Sequence, residues 1–332
     1  MYSDDDLNQA VDAGVLTAED VGRFRSFISE QQHTQSVDEE HIRLVSGFND
    51  IFVLIACALT LTALYFVTTA LNDLLGSLLL AFGAWGLSEY FTKRRHMALP
   101  SIALLLAFTG AGFGVGWQLS GAIPDDLPAR FMVASGVAAA AATLHWWRFQ
   151  VPITIAAGTA ALVAMIFSFV LVEFPDQEQL ASIVMLSLGV GVFLFAMRWD
   201  ISDLQRTTRR SDVAFWLHLL ASPLIIHPIF LLAGVLEMDN SITAAVATLA
   251  IYLVIGLISL LVDRRALLVS ALFYVIYTLS SLFENYGAIE LNIALAAMVI
   301  GSLLLLLSVF WRNCREQLLR AAPATLLRYL PR

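Results

Sequence analysis

Little in this chain is charged. Asp, Glu, Lys and Arg make up 14% of its 332 residues, against about 25% in a soluble globular domain. That scarcity argues against an ordinary solvated fold. Cysteine is nearly absent, and Cys57 with Cys314 supplies no disulfide framework. No glycine loop is followed by the lysine that a phosphate cradle needs. No Ser, Cys or His stands in a recognisable nucleophile–base arrangement. Basic residues are few and the net charge is −8, so no nucleic-acid partner is expected. No cofactor, metal or catalytic constellation is expected either.

What is present is hydrocarbon. Apolar residues make up 59% of the chain and run almost without a break from Ile51 to Trp311. A helix needs about 20 apolar residues to cross about 30 Å of lipid. The runs predict ten spans, at residues 51–70, 74–91, 98–119, 131–147, 151–172, 180–198, 213–236, 242–262, 266–283 and 290–311. The fold class is therefore all-α, a polytopic membrane bundle over residues 50–311.

Eighteen of the nineteen Lys and Arg residues then fall on one side. They sit in the leader (Arg23, Arg25, Arg43), the even-numbered turns and the tail. The odd-numbered turns hold Arg130 alone, against ten acids. This is the positive-inside pattern, and it places both termini in the cytoplasm. Trp146, Trp147, Trp199, Trp216 and Trp311 mark the same boundary, and Trp117 marks the opposite one. The acidic leader before Ile51 is not expected to be a cleavable signal peptide. The bacterial character of the chain points to the cytoplasmic (inner) membrane.

Residues 1–49 form an acidic cytoplasmic module. Ser3 and the acids Asp4 to Asp6 suit a helix start, and Gly14 suits its end. Thr17 caps a second helix with Glu19 and Asp20 in its first turn and Val21, Phe24, Phe27 and Ile28 along it. A third helix is expected after Asp38. So short a segment makes a poor independent core. It is expected to lean on the membrane face, on the basic turns, or on a cytoplasmic protein partner. Membrane lipids are the other expected partner. Residues 312–332 alternate Arg with Leu318, Leu319, Leu326, Leu327 and Leu330, which predicts a basic amphipathic tail on the inner leaflet.

No Asp, Glu, Lys or Arg falls near the middle of any span. Glu89 comes nearest, and Lys93 at i+4 would pair with it. The candidate path lies instead in the seventh and ninth spans. In the seventh, His218, Ser222, Pro223, His227 and Pro228 combine polar side chains with two prolines that free backbone carbonyls. The two His lie on opposite faces, about 13.5 Å apart along a straight helix. They cannot share a metal ion, and neither has Glu or His at i+3 or i+4. In the ninth, Ser270, Tyr274, Tyr277 and Ser281 follow one face. Either set lines a substrate path or makes hydrogen bonds between helices. Gly110, Gly112, Gly114 and Gly116 in the third span predict close helix approach.

The leader from Leu7 to Phe27 with Gly14-Val15-Leu16-Thr17, followed by many spans with Arg-rich turns, resembles an uncharacterised family of bacterial multi-pass membrane proteins. Those carry a domain of unknown function with a short N-terminal helical segment. The resemblance implies no activity and no site residues. Three functions follow from the residues. A transporter or lipid-handling protein uses a path beside helices 7 and 9. A scaffold or sensor signals through the N-terminal module. An intramembrane lipid enzyme has the least to stand on.

Overall fold

The computed structural model describes residues 7, 10, 11, 13–31, 48–123, 126–203, 208–234, 242–285 and 292–321. Some side chains within the helices also lie outside this set, among them those of Phe27, Ile28, Ser270 and Ser281. Ser3, Asp4 to Asp6, the helix expected after Asp38 and the tail beyond residue 321 lie outside it too. The chain divides into two compact units, Met1–His41 and Ile42–Arg332.

In the first unit the local chemistry follows the sequence. Gly14 takes a left-handed φ of 70°, and Val15 N–H bonds back to the Ala10 carbonyl at 2.9 Å. That closes a helical turn in the way glycine allows without a Cβ clash. The helix Ala18–Gln31 follows. Thr17 Oγ1 accepts from Asp20 N–H at 3.1 Å, while Thr17 N–H donates to Asp20 Oδ2 at 3.2 Å. This is a reciprocal cap with Asp in the third position. The Thr17 hydroxyl and amide, with Arg23 behind them, hold the Asp20 carboxyl below its ordinary value. Val21 is buried and Phe24 is exposed.

The second unit holds ten long helices among the described residues. They are α1 Phe48–Thr69, α2 Asp73–Phe91, α3 Ala98–Leu119, α4 Leu127–Phe149 and α5 Ile153–Glu173, followed by α6 Glu178–Ile201, α7 Arg209–Leu232, α8 Ile242–Val262, α9 Ala266–Asn285 and α10 Asn292–Ala321. No strand occurs among the described residues. Helices α1–α7 are long and apolar enough to cross a membrane, and Val246–Val262 of α8 is a shorter apolar stretch. Each helix falls on one of the ten expected spans. The main difference is α10, which continues unbroken to Ala321. The first part of the tail is thus the end of that helix rather than a separate segment.

The caps explain where the chain turns. Asn72 accepts from Leu75 N–H at 3.1 Å to start α2, and Asp126 accepts from Ala129 N–H at 3.0 Å to start α4. Pro128 fits the first turn of α4 because it lacks a donor that would be unsatisfied there. Helix α7 runs through both Pro223 and Pro228 without interruption.

Packing is sequential through α1–α5. Beyond that α6 packs on α7, α7 on α9, and α8, α9 and α10 on one another. Small residues set the close contacts. A methyl placed on Gly112 would stand 2.8 Å from Ala141 Cβ, and one on Gly116 2.7 Å from Ala134 Cα. Both glycines therefore face α4. Gly114 faces Ser77 of α2, and Gly110 meets nothing within 4 Å.

Ion pairs gather at the end of the bundle where the even-numbered helices finish, here called the basic end. Arg148 of α4 grips Glu89 of α2 with two bonds, Nε to Oε1 at 2.6 Å and Nη2 to Oε2 at 2.9 Å. Lys93 is not that partner, because α2 ends at Phe91 and Lys93 lies in the exposed turn beyond it. Both paired side chains are more than a third exposed. Glu89→Gln is therefore expected to lower stability by no more than about 1 kcal/mol. A double-mutant cycle with Arg148→Gln in thermal melts measures this. A coupling above about 2 kcal/mol would mean that the pair is dry.

Candidate functional site

A carboxylate near the C-terminus of a helix opposes the helix dipole, and Asp200 of α6 is in addition only 1% exposed. Burial of such a charge is costly unless it is paired and hydrogen-bonded. Two side chains meet that need. Arg264 Nη2 donates to Asp200 Oδ1 at 2.5 Å, and its Nε reaches Oδ2 at 3.4 Å. His218 Nε2 of α7 lies 2.8 Å from Oδ2. Beside an arginine the Asp200 carboxyl is an acceptor, so the imidazole N–H donates. Arg264 also donates to the Ser211 carbonyl at 3.4 Å. Arg264 and His218 are as fully buried as Asp200.

Arg264 reaches this position from a three-residue turn. Asp263 takes a left-handed φ of 57°, which is uncommon for a residue with a side chain. The turn is held on both sides. Arg264 N–H donates to the Ser259 carbonyl at 3.0 Å, and Ser259 Oγ donates to the Arg264 carbonyl at 2.5 Å. Asp263 Oδ1 accepts from Trp311 Nε1 of α10 at 2.9 Å, with Arg315 Nε at 3.7 Å. Arg265 lies over the Trp311 ring, 5.0 Å from its centroid. Residue 263 therefore binds α10 while residue 264 binds α6 and α7.

Next to this cluster is an apolar groove of about 480 Å³ between α6, α7 and α8. Its walls include Val190 and Phe193, Ile225 and Ile229, and Ala250 and Val254, and all ten lining residues are apolar. Phe193 has two neighbours. It lines the groove, and its ring meets the His218 ring edge-on at 5.2 Å. Phe193 thus touches both the groove and the buried cluster.

The residues expected to form a path divide into separate environments. His218 joins Asp200, away from His227. Ser222 is fully buried. Pro223 is exposed and Pro228 is buried. His227 Nδ1 is hydrogen-bonded to the Tyr274 hydroxyl across α7 and α9. Tyr274 stacks on Phe230 at 4.2 Å. Tyr277 points away and is 58% exposed. Helices 7 and 9 are thus adjacent, as a shared path requires. His227 and Tyr274 bond across the seam, and the side chains of Ser270 and Ser281 lie outside the described set.

Three further residues carry the site and were not expected from sequence. In the sequence Arg264 counts as one of the basic turn charges that set orientation, Asp200 as an acid among those turns, and Phe193 as one apolar residue among many. A signal existed for Arg264. Only Asp263, Arg264 and Arg265 separate α8 from α9, so a side chain there must lie along the membrane face or turn back into the bundle. Another fully buried imidazole, His145 of α4, sits 3.4 Å from Thr154 Oγ1. It lies among the rings of Trp85, Phe108 and Phe149. Among the described residues no group of three or more His, Cys, Asp or Glu is placed to hold a metal ion.

The described helices, seven of them long and apolar enough to cross a bilayer, define a helical membrane protein. No family model, curated protein or solved structure matches the chain.

Proposed function

We propose that this membrane protein handles lipid or another hydrocarbon ligand. The ligand's chain would occupy the groove between α6, α7 and α8, and its presence would be felt at Asp200, His218 and Arg264. The observation that carries this reading is the double contact of Phe193. A chain entering the groove presses on the ring that packs against His218. The groove wall holds no polar side chain, which suits an acyl chain rather than a sugar or an ion. The path beside helices 7 and 9 then begins at the groove, with Ile226 in its wall and His227 next along α7. In this reading the basic end faces the cytoplasm of a bacterial inner membrane, and the protein is a transporter or a lipid-handling protein.

Ala250→Trp tests the reading. Ala250 is an exposed lining residue of α8, so an indole there fills the groove without entering the core. Exclusion of two methylenes, at about 0.8 kcal/mol each, lowers lipid occupancy by about tenfold or more. Native mass spectrometry of gently extracted protein reads the retained lipid. Equal retention by wild type and Ala250→Trp would refute the groove as a lipid site.

The division of the chain at His41 favours a second reading. A separate N-terminal unit can report on the membrane to a cytoplasmic protein. In that case deletion of residues 1–40 abolishes function while Ala250→Trp preserves it.

A further inference from the structure

Two buried or half-buried cations of this bundle have carboxylate partners among the described residues. Arg264 has Asp200 and Arg315 has Asp263. Arg130, in the first turn of α4, differs. It is half-buried, its Nε is out of contact with water, and that Nε has no hydrogen-bond partner among the described residues. Its guanidinium instead lies over the Trp117 ring of α3, 4.1 Å from the centroid. Trp117 is itself held in place, edge-on to Phe131 at 5.3 Å and stacked with Phe113 at 6.3 Å. An aromatic face attracts the cation but leaves the in-plane N–H donors unused. A guanidinium at the boundary of a membrane-crossing helix, with donors to spare, calls for an oxyanion.

The surroundings narrow which one. By position in the sequence, the end of the bundle holding Arg130 carries ten acids and no other basic residue. A purely anionic ligand would be repelled there. Asp126, the N-cap of α4, lies four residues before Arg130. One of its oxygens accepts from Ala129 N–H, which leaves the other oxygen to face a second charge. The side chains thus present a fixed cation and a fixed anion about one helical turn apart.

We propose that Arg130, Trp117 and Asp126 bind a zwitterionic phospholipid headgroup of the aminoethyl phosphate class. The phosphate sits on the Arg130 donors and the ammonium, two carbons away, on Asp126. Arg130 serves this site instead of balancing a carboxylate of its own chain. The site lies on α3 and α4, apart from the α6–α8 groove, and does not depend on it.

The test is competitive retention in nanodiscs containing equal amounts of phosphatidylethanolamine and phosphatidylglycerol, read by native mass spectrometry after partial delipidation. Wild-type protein is expected to keep phosphatidylethanolamine with about fivefold preference. Arg130→Gln removes the charge and is expected to lose the bound lipid. Asp126→Asn keeps a good helix cap, so it folds, and is expected to retain lipid with the preference reduced to about unity. Equal retention of the two lipids by wild type would overturn the proposal. So would an unchanged preference in Asp126→Asn. Titration of delipidated protein with inorganic phosphate is the second arm. Saturation by free phosphate with no lipid preference would assign the site to a soluble ion and overturn the lipid assignment. Loss of lipid in Ala250→Trp with normal retention at Arg130 separates the two sites.

Discussion

Arg264→Met is expected to destabilise the bundle by about 3–5 kcal/mol. The loss comes from Asp200 more than from Arg264. Once the guanidinium is gone, a carboxylate that is 1% exposed keeps only the imidazole of His218 from the cluster. The double variant Asp200→Asn/Arg264→Met removes both charges, and the Asn oxygen still accepts from His218. It is expected to recover about 2–3 kcal/mol of the loss, because a neutral buried pair has no uncompensated charge. Reversible unfolding in mixed micelles gives both values. If Arg264→Met cost less than about 1 kcal/mol, water would be reaching the cluster. A double variant no more stable than the single would put the value of Arg264 in its packing and not in its charge.

Gly189→Ala is expected to separate α6 from α7. A methyl on Gly189 would stand 2.8 Å from both the carbonyl carbon and the oxygen of Leu224, and 2.9 Å from its Cβ. Backbone atoms cannot rotate out of the way, so a helix has to move. The Leu224 carbonyl is also special, since Pro228 four residues on has no N–H to bond it. Overpacking of this kind costs about 1–3 kcal/mol. Gly191→Ala on the same helix is the control. Nothing lies within 4 Å of a methyl there, and alanine favours helix over glycine by about 0.5–1 kcal/mol. The two alanines should therefore shift the melting temperature in opposite directions. Equal shifts would mean that α6 and α7 are not in contact at residue 189.

Much of the architecture was legible in the sequence because hydrocarbon imposes a length and a turn imposes a composition. Asn72, Asp126 and Thr17 stand where helices begin, and Gly14 stands where a turn closes. The glycines of the third span were readable as packing residues for the same reason, although Gly110 does not pack. The site was less legible. Periodicity placed His218 and His227 on opposite faces, and they do have different partners. It could not show that Asp200 turns inward, because a charge at a helix end is equally at home in water. Only the arrival of Arg264, 64 residues later, makes burial affordable. Glu89 shows the same limit on a smaller scale. Its partner was sought at i+4 on its own helix, and it lies 59 residues away on another.

That separation along the chain has a meaning in time. Ribosomes add about 5–20 residues per second. Asp200 is therefore synthesised about 3–13 s, and His218 about 2–9 s, before Arg264. During that interval α6 and α7 hold a carboxylate whose counter-charge has yet to be made. A chain that stops short of residue 264 carries that carboxylate permanently, and its α6–α7 pair differs from the finished one in charge. The buried ion cluster thus marks whether translation has passed residue 264, which is the kind of difference that quality control in a membrane can recognise.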